Sequence, residues 1–150
     1  MVDITGKRDV LRKAEAVGRI RLKPSTIRLI RDHKVEKGDP LAVARVASIQ
    51  AAKNTSQLIP LCHPISLTDV RVDIDLHDDS VEVTAGVKTR GKTGVEMEAL
   101  TAAAVALLTI WDMVKRYEKD ARGQYPTTVI RDIRVLRKEK GKTRHEPNSS

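Results

Sequence analysis

Two alternating stretches joined by a short polar turn constrain this chain more than any other feature. Val70, Val72, Ile74 and Leu76 alternate with Arg71, Asp73, Asp75 and His77. After Asp78-Asp79-Ser80 the pattern resumes with Val81, Val83, Ala85 and Val87. A period of two marks strands that bury one face, so the pair predicts an antiparallel hairpin. A run rich in Ala, Leu and Met follows at roughly 95–119, and its composition predicts one long helix, ended by Gly123 and Pro126.

The same patterns order the rest. Between Arg12 and Leu22, Ala14, Ala16, Gly18, Ile20 and Leu22 share one face, while Lys13, Glu15, Arg19 and Arg21 fall mostly on the other: a strand. Pro24-Ser25-Thr26 opens a short helix that Gly38 ends. Asp39, a natural N-cap, and Pro40 start a second helix that runs to about Lys53. Pro60-Leu61-Cys62-His63-Pro64 predicts a rigid loop, and Val129 to Leu136 a last strand. The order β-α-β-β-α-β, with two helices in the first crossover, is the ferredoxin-like α+β plan: an antiparallel sheet with helices packed on one face. Residues 1–138 form one expected domain, and 139–150 an expected basic, disordered tail.

A chain of 150 residues buries roughly 70% of its unfolded surface, enough for a core without staples. One cysteine, Cys62, excludes an internal disulfide and fits a reducing compartment. The polar start, Met1 to Arg12, has no signal-peptide core, and no uninterrupted apolar run reaches about 18 residues. The expectation is a cytoplasmic protein with no membrane partner. The net charge of +8 is uneven: residues 1–35 hold ten Lys/Arg against four Asp/Glu, and residues 131–150 seven against three. Basic ends suit an anionic partner, either a phosphorylated small molecule or nucleic acid. Against nucleic acid stands the scarcity of stacking side chains: no Phe, one Trp and two Tyr.

Four stretches could carry chemistry. Gly86-x-x-x-x-Gly91-Lys92-Thr93 matches the phosphate-loop pattern. Val87 to Arg90 continue the strand alternation, however, and no later strand ends in a magnesium-binding Asp, which argues against a nucleotide hydrolase. A looser role survives: helix-start N–H groups, with Lys92, holding a phosphate. Glu96-Met97-Glu98 reads first as structural, because Thr93-x-x-Glu96 spells a capping box. Asp112 and Lys115, at i and i+3, share a helix face. They follow Glu98, Thr101, Val105 and Leu108 on one stripe, read here as the inward stripe, where burial would shift both groups toward the catalytic range. Cys62-His63 offers a general acid or base in His63. The His and Cys residues lack zinc-site spacing, and Lys37 and Lys53 read by default as solvated. Glu98 and Asp112 stand fourteen residues apart, roughly 21 Å along a helix. If both serve one site, either the substrate is long or two subunits meet with antiparallel helices; the second is expected, with the site at a two-fold interface.

These pieces together resemble the molybdenum cofactor biosynthesis protein C family, the cyclic pyranopterin monophosphate synthases. The resemblance runs from Met1-Val2-Asp3 to about Lys138. Ile49-Gln50-Ala51-Ala52-Lys53, Leu58 to Pro64, Thr89 to Leu100 and Trp111-Asp112-Met113-x-Lys115 carry it. Trp111 stands where the family more often has Tyr. The resemblance implies a lyase that converts 3′,8-cyclo-7,8-dihydroguanosine 5′-triphosphate to cyclic pyranopterin monophosphate with release of diphosphate. It also implies a hexamer built as a trimer of dimers with the site at the dimer interface, and a radical enzyme upstream. By resemblance Asp112, Lys115, Lys37 and His63 are catalytic. Leu61, Cys62, His63, Met97 and Glu98 line the substrate site, with Glu96, Lys53, Arg12 and Lys92 close by. No cofactor or metal is called for, though the triphosphate can bring magnesium with it.

Overall fold

The computed structural model describes residues 1–141. Its elements run β1 (Val10–Arg21), α1 (Pro24–Arg31), α2 (Pro40–Lys53), α3 (Thr55–Leu58), β2 (Leu67–Leu76), β3 (Ser80–Gly91), α4 (Glu96–Glu118) and β4 (Val129–Lys140). The four strands lie in the order β2-β3-β1-β4, and every neighbouring pair is antiparallel. This is the ferredoxin-like plan expected from the sequence.

The β2–β3 hairpin pairs Val72 with Ala85 and Ile74 with Val83, so the apolar halves of both strands face one way. β1 then lies beside β3 with Ala14, Ala16, Gly18 and Ile20 on that same side, opposite Val87, Ala85, Val83 and Val81. Small residues here let α4 come down close. Ala99, Ala102, Ala103 and Ala106 of α4 are all buried, and so are Ala14, Ala16 and Ala85 of the sheet. Gly18 marks the tightest point: a methyl group there would stand 2.8 Å from Leu107 Cδ1 and 3.0 Å from Ile133 Cγ1. The opposite face of the sheet carries charge, including the Arg19–Glu82 and Arg137–Glu15 ion pairs. An antiparallel sheet tolerates one such solvated face.

Asp39 caps α2 as expected, its Oδ1 accepting from the N–H groups of Leu41 and Ala42 at 3.0 and 3.2 Å. Gly38, at φ +124°, makes the turn into that cap with a backbone that side-chain-bearing residues rarely adopt. A buried carboxylate ties the far end of α4 to two other elements. Glu118 accepts from Thr26 Oγ1 at 2.5 Å, Thr128 Oγ1 at 2.7 Å and the Lys23 N–H at 3.1 Å. It thereby joins the start of α1 to the approach of β4.

Two expectations need correction. β4 does not stop at Leu136: Lys138, Glu139 and Lys140 pair with Ala14, Lys13 and Arg12, so the strand reaches beyond the expected domain end at Lys138. Hydropathy could not show this, because residues 137–140 are all charged. The rest of the expected tail, 142–150, lies outside the described residues. The capping box is not formed: α4 starts at Glu96 with Val95 as its N-cap, and no side chain caps it. Thr93 stands two residues before the N-cap position, too early to bond the first helical N–H groups. By length and composition α4 could cross a bilayer, although no uncharged run in it is long. More than half of its most apolar window is buried within the fold, as in a core helix.

Candidate active site

The predicted site residues gather at the two ends of α4. At its C-terminal end Asp112 stands between two lysines. Lys37 Nζ lies 3.2 Å from Asp112 Oδ2 and donates to the Asp112 carbonyl at 3.1 Å. Lys115 Nζ lies 3.2 Å from Oδ1. The loop before α2 delivers Lys37, and two contacts hold that loop: the Glu36 N–H donates to Tyr117 Oη at 2.9 Å, and Glu36 pairs with Arg116. Trp111 packs edge-on against Tyr125 beside this cluster. Lys37 is therefore placed by its fold rather than simply solvated.

The stripe reading is corrected in one respect. Asp112 does not point inward: its side chain is 60% exposed. Its carboxyl is held below the usual carboxylate range by the hydrogen bond from Lys115, then by that from Lys37. Only the C-terminal part of its stripe faces outward: Leu108 is 58% exposed, as is Val46 of α2, whereas Thr101 and Val105 are half-buried and Glu98 is buried. A period of 3.6 residues shows which positions share a face, not which face meets the sheet.

At the N-terminal end of α4 the loop 60–64 meets the helix start. Glu98 is only 3% exposed, and its Oε2 has no hydrogen-bond partner. Burial, with the nearby Glu96 charge, pushes its carboxyl above the usual range. Burial and Glu98 likewise push the Cys62 thiol up. Leu61, Cys62, His63 and Met97 line a cavity of about 450 Å³, and His63 Nε2 lies 2.6 Å from the Val2 carbonyl.

Lys7 lines this cavity, and further cations flank the end of β3 and the start of α4. Arg12 Nε and Nη2 donate to the carbonyls of Gly91 and Lys92 at 3.1 and 3.3 Å, which pins the end of β3. Lys92 Nζ donates to the Thr5 carbonyl at 3.2 Å. Gly86 to Gly91 are strand, so the phosphate-loop match is a coincidence of letters. Lys53 is the exposed last residue of α2, beside Ala52, which packs in one cluster with Val95 and Ala99 of early α4. Glu96 carries a partner that the sequence did not reveal: Lys138 Nζ lies 2.7 Å from Oε1. Burial raises the Glu96 carboxyl, but Lys138, a backbone N–H and the Arg12 charge together hold it below its ordinary value. Gly94 leaves room for this carboxylate, which a methyl group there would overlap.

Fourteen residues along α4 separate the two groups, roughly 21 Å. The cavity at Cys62 and His63 includes neither Lys37, Asp112 nor Lys115. One end offers paired lysines on an ionised carboxylate; the other offers a buried carboxyl, an imidazole and several cations.

The chain is thus a small ferredoxin-like α+β protein with a lysine–carboxylate cluster at one end of α4 and a cavity at the other. The family comparison is specific: the model of the MoaC family matches residues 1–141, and the chain belongs to that family. A relative from Pyrococcus furiosus, named as a probable cyclic pyranopterin monophosphate synthase, is 58% identical over 92% of this chain and 88% of its own. One from Sulfolobus acidocaldarius with the same name is 55% identical, over 92% of this chain and 96% of its own. One from Methanothermobacter thermautotrophicus, named as a probable accessory protein of that synthase, is 56% identical over 93% and 88%.

Proposed function

We propose that this chain converts 3′,8-cyclo-7,8-dihydroguanosine 5′-triphosphate to cyclic pyranopterin monophosphate, releasing diphosphate, in molybdenum cofactor biosynthesis. The observation that carries the reading is the Lys37–Asp112–Lys115 cluster, built by a loop and a helix in a chain of the MoaC family.

Opening a purine ring with water needs protons moved to and from ring nitrogens. Asp112 is ionised near neutrality and holds two lysine side chains that can donate protons or hydrogen bonds. His63 is a further proton carrier beside the cavity. The open Oε2 of buried Glu98 suits the N–H edge of a guanine-derived ring, which would satisfy it. Leu61, Cys62 and Met97 supply the walls. Attack of a sugar hydroxyl on the α-phosphate builds charge on the phosphate oxygens and on the departing diphosphate. Arg12 and Lys92, with Lys53 and Lys138 near, would offset that charge. The reading calls for no resident cofactor; magnesium would enter with the triphosphate.

Both ends of α4 serve one substrate if two subunits pack their α4 stripes antiparallel, Asp112 of one opposite Glu98 of the other. The exposed Leu108 and Val46 support such an interface, and a trimer of these dimers is the assembly we favour. A radical enzyme would supply the cyclic nucleotide. We take the cytoplasm as the place of action, in keeping with one unpaired cysteine.

The test is turnover of the purified protein on freshly made cyclic nucleotide, following diphosphate and the fluorescent oxidised pterin, with Asp112→Ala alongside. Product from the wild type and none from the variant is the expected result. No product from well-folded wild type would overturn the reading.

A further inference from the structure

We propose that Lys7 is a phosphate-binding residue, carried on a strap of residues 2–7 that folds over the cavity at Cys62. This deepens the reading of the site as one for a triphosphate and rests on it.

Three observations carry it. First, Val2, Ile4 and Lys7 form one wall of the cavity whose other walls include Cys62, His63 and Met97. Second, the strap belongs to no helix or strand. It is shaped by its own bonds: Asp3 Oδ1 accepts from the Thr5 N–H at 2.9 Å and from Thr5 Oγ1 at 2.6 Å, and the Lys7 N–H donates to the Ile4 carbonyl at 3.0 Å. What fastens it to the body is the pair of site contacts already described, His63 on the Val2 carbonyl and Lys92 on the Thr5 carbonyl. Third, Lys7 is the one lysine or arginine among the residues that line this cavity, and it forms no ion pair among the described residues.

A neutral carbonyl is a weak partner for an ammonium group. A phosphate oxygen makes a charge-assisted bond about twice as strong, so arriving phosphate takes Lys92 from Thr5. The strap is then held by the phosphate itself, through Lys7 on one side and Lys92 on the other. Two lysines and no obligatory carboxylate partner are what a polyanion needs from a closing segment, since a lysine acts as a point charge without demanding geometry.

Inorganic tripolyphosphate is the probe, titrated into the full chain and into Lys7→Gln and Lys7→Arg. Calorimetry gives affinity, and the alkylation rate of Cys62, the one cysteine, reports strap closure. Lys7 is exposed, so an unchanged thermal midpoint confirms that each variant folds. Tripolyphosphate should slow Cys62 alkylation in the wild type. Lys7→Gln should weaken binding about ten-fold and abolish the protection, while Lys7→Arg stays within about three-fold. In turnover, Lys7→Gln should raise KM and leave kcat nearly unchanged. Wild-type affinity in Lys7→Gln, equal loss in Lys7→Arg, or no tripolyphosphate binding at all would each overturn the proposal. The two readings fail separately. Lysine-dependent tripolyphosphate binding without pterin formation would sink only the proposed reaction. Pterin formation with an unchanged KM in Lys7→Gln would sink only the strap.

Discussion

Replacing Glu118 tests how the C-terminal end of α4 is held. Glu118 is fully buried and accepts from two threonine hydroxyls and one backbone N–H. Hydrogen bonds to a charged group each contribute about 1.5–3 kcal/mol, and a buried polar group left unpaired costs about 1–3 kcal/mol. Glu118→Gln keeps one acceptor oxygen and puts an NH₂ donor in place of the other. One threonine hydroxyl can turn to accept from it. The remaining bonds lose their charge assistance, and one donor is left poorly paired. The expected loss is about 2–4 kcal/mol for Gln and somewhat more for Ala, which adds a cavity. The assay is urea unfolding followed by circular dichroism, at one fixed protein concentration because association shifts the midpoint. Thr26→Val belongs beside it, and the double variant should fall well short of the sum, since the two residues share one bond. A Glu118→Gln loss under about 0.5 kcal/mol, or full additivity with Thr26→Val, would refute this account of the node.

Glu98→Gln should stabilise the fold and destroy function. Folded Glu98 binds its proton more tightly than the unfolded chain does, so stability falls as pH rises from its ordinary 4.5 to the raised folded value. The variant's gain in Tm over wild type should therefore be absent in acid, grow through that window and then level off; a gain that shrinks with pH would contradict the burial argument. Lys115→Ala should lower kcat by about 10²–10⁴-fold with little change in substrate affinity, while Arg12→Ala should act mainly on KM; steady-state kinetics giving the reverse pattern would exchange their roles. Gly18→Ala should cost about 1–3 kcal/mol in urea unfolding, because its methyl meets Leu107 at 2.8 Å; a neutral result would mean that α4 moves away freely.

Much of the fold was legible in local pattern. The β2–β3 hairpin, the Asp39–Pro40 helix start and the long α4 each follow from interactions a few residues long: alternation, capping, propensity. Motif letters were informative where the residues act together locally, as in Trp111-Asp112-Met113-x-Lys115. They misled where geometry mattered: Gly86 to Thr93 spells a phosphate loop whose first six residues are extended strand, and Thr93-x-x-Glu96 spells a cap whose Thr lies two residues before the true N-cap.

The sequence by itself determined the order of elements, the apolar face of each strand and the residue types available for chemistry, because these depend on short-range periodicity and on the side chains themselves. Only the tertiary structure decided which partners those side chains meet. Lys37 reaches Asp112 across 75 positions, Lys23 and Thr26 reach Glu118 across more than 90, and Lys92 reaches back to Thr5 across 87. It also turned the Asp112 end of its stripe outward while burying Glu98 at the other end. Periodicity groups residues onto a face, but the packing of α4 on alanines and Gly18 chooses the face that meets the sheet, and that choice is made between elements distant in the chain.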